Sequence, residues 1–217
     1  MERFEDWVRF VFDHPVHEPE WYRDADSEIE RWGVDPALTV GWMTQLFRQP
    51  SSLAPFSREQ VGQGLWFLLG DGSPGGFGRL IYDPAVELEV RLACIRETPS
   101  FFAKYVAVQC TRPVPIYRAR DSDDLELICF MWWDLWPQHE PGPDSETVDS
   151  AVCDALMAIA TLPSVACVES ALHGLGHRHA RDAQRTQKII SSLLRQAKDW
   201  PIELMQYAEA ALRGTVQ

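Results

Sequence analysis

Glu169, His173 and His177 stand four residues apart. At about 100° per residue, a helix sets them in one stripe. One carboxylate with two imidazoles is a donor set suited to a divalent metal ion, and His179 is close by. The glutamate does not sit inside an HExxH arrangement, so the pattern is not that of a zinc protease. Val165, Val168, Leu172 and Leu175 form an apolar stripe centred about 120° from the first. The Glu–His–His stripe is therefore expected at the edge of the core or on an open surface, where it reads first as a plain polar helix face, with local Glu–His pairing or histidines meeting the helix dipole, and second as a face turned toward a partner. The metal set Glu169, His173 and His177 is the alternative. Gly174 and Gly176 weaken this helix by about 1 kcal/mol each relative to alanine, and a break there would separate the ligands.

Other arrangements offer less chemistry. Cys167 and His173 lie six residues apart, nearly two turns, so a thiol–imidazole pair would diverge. No GxSxG elbow exists. The glycine-rich stretch from Gly70 to Gly78 lacks both a preceding strand and a following Gly-Lys-Ser/Thr, and reads as a connection between helices. Asp121-Ser122-Asp123-Asp124 lacks the ligand spacing and glycine of a calcium loop and fits a negatively charged helix start. No motif calls for a cofactor. From Leu125 to Trp136 the chain is apolar nearly all round, as in a central helix. Leu125, Ile128, Trp132 and Trp136 make its core face; Trp133 points elsewhere and reads first as core too, with lining a groove for a partner as the alternative.

The elements that would carry these residues are helical. Phe4, Trp7, Val8, Val11 and Phe12 recur at helical spacing over about 2–13. Asp35-Pro36 and Asp83-Pro84 each put a capping carboxylate before a proline at the first helical position. Ser57 and Gln60 spell a capping box, with Phe56 and Val61 as its hydrophobic staple. The helix from Pro84 to about Glu97 places Glu87 and Arg91 four apart, where they can pair. Further helices are expected over 144–162, 164–177, 183–198 and 201–213. Tyr105–Cys110 and Val114–Arg118 are β-branched or alternating; Pro113 and Pro115 weaken a strand there, so a last helical turn and an extended loop are preferred. The other loops are Gly70–Gly78 and Pro137–Pro143.

The chain carries 32 acidic against 20 basic side chains, a formal net charge of −12. Between Met1 and Asp35 there are 11 acids and 4 arginines, so this segment holds −7 of that total. Such a balance argues against nucleic acid as a partner and favours a basic protein through charge steering. The five cysteines are scattered without a CxxC pair, a reduced, intracellular pattern. The N-terminus is not a signal peptide. The longest apolar run, Leu127–Trp133, is too short to span a bilayer, so no membrane is expected. A cytoplasmic location follows from these readings. Seventeen arginines against three lysines suggest a bacterial genome rich in GC.

Gly64-Leu65-x-x-Leu68 before Gly70 parallels Ala171-Leu172-x-x-Leu175 before Gly176, and Val90-Arg91-x-Ala93 is related. These patterns resemble degenerate HEAT-like repeats of α-solenoid proteins, over about a third of the chain. Gln63–Gly70, Met131–Leu135 and Glu169–His177 are also similar to segments of a family of uncharacterised bacterial proteins. That likeness implies no particular activity.

The expected fold is all-α: about ten helices in irregular stacked hairpins, a HEAT-like α–α superhelix. A single helical domain would span 1–217, with acidic N-terminal helices over 1–50 packed on a helical-repeat body over 51–217. Short helices broken by proline and glycine need neighbours to cover their stripes, and such stacks leave extended surfaces that bind macromolecules. The first functional expectation is a non-enzymatic protein-binding module, of which an immunity protein masking a basic toxin is one form. Its candidate contact residues are Glu5, Asp6, Glu20, Trp133, Glu169, His173 and His177. The alternatives are a metal-dependent enzyme using Glu169, His173 and His177, and a structural subunit of a larger complex.

Overall fold

Five of the helix starts in the computed structural model are fixed by capping side chains, those of Asp35, Ser57, Asp123, Ser164 and Asp182. The structure describes residues 3–23, 35–70, 77–112, 122–135 and 142–216. Helix α1 spans Phe4–Phe12 and α2 spans Pro36–Arg48, where Asp35 accepts the Leu38 amide at 3.0 Å. Helix α3, Arg58–Leu69, opens on the full capping box. Ser57 accepts from the Gln60 amide, and the Gln60 side chain accepts from the Ser57 amide at 2.9 Å. Helices α4 (Phe77–Tyr82), α5 (Leu88–Phe101), α6 (Asp124–Met131) and α7 (Ser145–Ile159) follow. Then come α8 (Val165–Arg178), α9 (Ala183–Gln196) and α10 (Ile202–Leu212). Asp123, Ser164 and Asp182 cap α6, α8 and α9.

The expected all-α fold of about ten helices is what the chain adopts, with no strand among the described residues. Tyr105–Cys110 is helical up to Gln109. Pro99 lies inside α5, and a five-residue π-helical stretch, Phe102–Val106, carries the chain on to a last turn at Ala107–Gln109. Pro84 does not open a helix: Asp83 forms a turn by accepting the Ala85 amide, and α5 begins four residues later at Leu88. Arg91 does not pair with Glu87. It is buried, and its guanidinium reaches the Val86 carbonyl at 2.8 Å and the Asp144 carboxylate at 2.5 Å. Val114–Arg118, Trp136, residues 24–34 of the acidic segment, and most of the Gly70–Gly78 and Pro137–Pro143 loops lie outside the described residues.

Buried apolar side chains from Trp7 to Ala211 form one cluster. Helix α2 lies against α5, α5 against α7, and α3 against both α1 and α6. Helix α8 is the centre of the second half: α6, α7, α9 and α10 all pack on it. Every residue from Cys167 to Gly176 is buried as a result. This corrects the expected stripe at the edge of the core. Glu169 and His173 are 2% and 1% exposed, and only His177, a turn farther on, is partly open. The mixed composition of α8 misled the periodicity, because glycine, alanine and serine fill the sides where neighbouring helices approach. No helix among the described residues is long and apolar enough to cross a membrane.

Candidate metal centre

Asp134, His173 and His177 are brought together at the open end of α8, where each offers a ligand atom within 4.8 Å of the others. The two histidines come from one face of one helix, four residues apart, with ring centroids separated by 4.6 Å. The carboxylate comes from the turn that ends α6. There Trp132 and Trp133 drive into the core, the first against Phe47, Phe101 and Phe102, the second against Phe102. The turn is closed by the Asp134 amide donating to the Met131 carbonyl at 3.0 Å. Two anchored indoles leave the next side chain one direction to go, back over α8.

Gly174 makes that approach close. A Cβ there would stand 2.6 Å from Trp133 Cγ and 2.9 Å from Trp133 Cβ. The absent side chain lets the α6 turn sit against α8, so that Asp134 reaches the residue before Gly174. Ser170 Oγ donates to the Cys129 carbonyl at 2.6 Å and ties the same two helices one turn earlier.

The donor atoms converge closely. Asp134 Oδ2 is 2.8 Å from His173 Nε2, Oδ1 is 2.9 Å from His177 Nε2, and the two Nε2 atoms are 3.3 Å apart. Oδ1 is buried and receives no aligned hydrogen bond, despite the nearness of the His177 ring. The His177 nitrogen is directed at His173 Nε2 instead. Burial works against the Asp134 carboxylate, but its close interactions with His173 and His177 outweigh it and hold its pKa down to about 2. At pH 7 the cluster presents an anionic carboxylate to the two histidine rings.

Behind this shell His173 is held on two sides. Its Nδ1 meets the Tyr207 hydroxyl from α10, and the Phe130 ring lies over it at 4.2 Å between centroids. A hydroxyl on Nδ1 fixes the ring plane and leaves Nε2 facing the carboxylate. The site is only partly sealed, with His177 33% and Asp134 19% exposed.

The sequence-predicted residues are thus divided. His173 and His177 meet; Glu169, the third of the expected set, does not join them. One turn back along α8, it lines a separate cavity of about 20 Å³ with Cys110, Arg112, Glu126 and Cys129. Asp134 supplies the carboxylate in its place. Trp133 is core, as its preferred reading had it, and lines no groove for a partner: it is 5% exposed and packed over Gly174. Trp133, Glu169 and His173 are therefore closed to a partner in this fold. Glu5, Asp6 and Glu20 are at the surface, where Asp6 pairs with Arg3 and Arg9, and Glu20 with Arg23.

Asp134 and Tyr207 were not singled out from the sequence. The signal for Asp134 was a carboxylate directly after two tryptophans, at the end of an apolar helix. Tyr207 carries no local signal. No family model, no curated protein and no solved structure matches the chain.

Proposed function

We propose that this chain is a divalent-metal enzyme whose ion is held by Asp134, His173 and His177. The mutual spacing of the donor atoms carries this reading. Ligands at about 2.0–2.1 Å from zinc stand about 2.9 Å apart at right angles and about 3.3 Å apart at tetrahedral angles. The oxygen–nitrogen separations, 2.8 Å from Oδ2 and 2.9 Å from Oδ1, and the nitrogen–nitrogen separation of 3.3 Å are short enough for one ion to reach all three side chains. An ion among these atoms would also be within reach of the buried Oδ1, which lies 2.9 Å from His177 Nε2 without an aligned hydrogen bond. Two imidazoles and one carboxylate suit zinc and its first-row neighbours better than calcium or magnesium.

Three protein ligands leave a coordination position for water or a substrate oxygen, on the side where His177 meets solvent. An ion held by these three side chains would lower the pKa of its water or polarise a carbonyl or phosphoryl oxygen, which is the chemistry of metal-assisted hydrolysis. With an ion bound, the Tyr207 hydroxyl would accept from His173 Nδ1–H and leave the Nε2 lone pair for the ion.

The test is zinc titration of chelator-stripped full-length protein by calorimetry, with metal content measured after gel filtration. One zinc per chain is expected, lost in His177→Ala and Asp134→Asn and retained in Glu169→Gln. Because His177 is partly exposed, its alanine variant should keep the native circular dichroism. Failure of the wild type to retain zinc, cobalt or manganese would overturn the proposal. So would equal affinity in a folded His177→Ala.

A further inference from the structure

All five cysteines are free and buried, and four of them behave as thiols sealed in a core. Burial pushes Cys94 up to about 12 and Cys167 up to about 11, and raises Cys153 too. Cys129 is raised well above the usual thiol range by its hydrogen bond to Cys110 and by burial. Cys110 departs from this pattern. Its thiol is lowered by the hydrogen bond from Cys129 and, against burial, by the positive charge of Arg58.

The geometry explains the difference. Cys110 is the residue just past the helical turn Ala107–Gln109, while Cys129 lies inside α6. Arg58, from the first turn of α3, is clamped by Asp123 and donates from Nη1 to the Gln109 carbonyl at 2.7 Å. A guanidinium is thereby fixed beside the residue that precedes Cys110. Both cysteines line the cavity of about 20 Å³ whose polar edge is formed by Arg112, Glu126 and Glu169, with Arg112 paired to Glu126 at 2.6 Å. That space suits a reactant little larger than one water. Cys110 ends the preceding helical turn, its amide donating to the Val106 carbonyl at 2.8 Å, and its thiol meets the Cys129 sulfur held in α6.

We propose that Cys110 and Cys129 are a redox-active dithiol that a small hydroperoxide oxidises to a disulfide. The Cys110 thiolate attacks one oxygen of the peroxide and the O–O bond breaks. The departing hydroxide takes up the proton Cys110 had released and leaves as water, with Cys110 as the sulfenic acid. The Cys129 sulfur then attacks the Cys110 sulfur, the S–O bond breaks, and a second water leaves with the Cys129 proton. In sum two thiols and one hydrogen peroxide give one disulfide and two waters; two electrons pass from sulfur to peroxide. The proposal does not depend on the metal centre.

The experiment exposes the full chain to equimolar hydrogen peroxide in EDTA at pH 7, blocks the remaining thiols and maps peptides by mass spectrometry without reductant. A Cys110–Cys129 link that dithiothreitol reverses is expected, formed at least about 10-fold faster than any oxidation of Cys94, Cys153 or Cys167. In Cys129→Ser the reaction should stop at a dimedone-reactive sulfenic acid on Cys110. The wild-type map stands alone if that variant does not fold. Oxidation of Cys110 no faster than of Cys94, or loss of its thiol without the link to Cys129, overturns the proposal.

Discussion

Replacing Gly174 with alanine sets two physical effects against each other at the point where α6 touches α8. Helix propensity alone favours the change by about 1 kcal/mol, because alanine loses less backbone entropy. Packing opposes it. The new methyl would stand 2.6 Å from Trp133 Cγ, 2.8 Å from Leu156 Cδ2 and 2.9 Å from Trp133 Cβ. The leucine methyl can swing aside, but the two tryptophan atoms belong to the fixed root of a side chain that is 5% exposed and wedged against Phe102. Overpacking of this kind costs about 1–3 kcal/mol. With two atoms that cannot yield, the upper part of that range applies, for a net loss of about 1–2 kcal/mol. At about 2–4 °C per kcal/mol for a chain of this size, the melting temperature should fall by about 2–8 °C. Asp134 follows Trp133 directly, so the same push should move its carboxylate off the histidines and weaken zinc binding at least about 10-fold. Gly41, exposed on α2 with nothing within 4 Å of its Cβ position, is the control. Gly41→Ala should raise stability by about 1 kcal/mol. Urea unfolding and zinc calorimetry on the two variants measure both effects. If both substitutions stabilise alike, with zinc affinity unchanged in Gly174→Ala, the close approach is not what places Asp134.

The Asp134 carboxylate makes stability depend on pH in a defined direction. Its pKa is about 2 in the fold against the ordinary 3.8, so its contribution, about 2 kcal/mol, is fully present above pH 4 and is lost as pH falls toward 2. The stability gap between wild type and Asp134→Asn in urea should shrink over that window; a gap constant from pH 5 to pH 2.5 would contradict the assignment. Asp144→Ala strips the buried Arg91 guanidinium of its carboxylate. Breaking a buried pair costs about 3–5 kcal/mol. Arg91 keeps the Val86 and Ile81 carbonyls and Asp144 is one-third exposed, so a loss of about 2–3 kcal/mol is expected in urea unfolding. A loss under 0.5 kcal/mol would mean that the carbonyls alone satisfy the arginine.

Several helix starts were legible because capping is local, although Asp83-Pro84, read in the same way, makes only a turn. Ser57 and Gln60 lie three residues apart and meet whatever packs around them, and Asp35, Asp123, Ser164 and Asp182 act the same way. The fold class and the pairing of His173 with His177 follow from the same short-range geometry, since residues four apart on a helix share a face. Arg91 shows where such reasoning stops. Pairing with Glu87 was the local solution, yet a buried guanidinium took a carboxylate 53 residues away because desolvation leaves it no weaker choice.

The carboxylate of the candidate centre was decided in the same way. Glu169 had the right spacing and chemistry, but spacing says nothing of which neighbour covers each side of a helix. Once α6, α7, α9 and α10 close around α8, Glu169 belongs to one cavity and His173 to another site. The glycines that read as weak points in α8 are contact points: Gly174 admits Trp133 and Gly176 admits Val216. Sequence alone determined the helices and the two imidazoles, because those depend on residues within one turn. Tertiary structure alone determined Asp134, Tyr207 and the Cys110–Cys129 pair, because close packing joins side chains remote along the chain and only the assembled core says which ones meet.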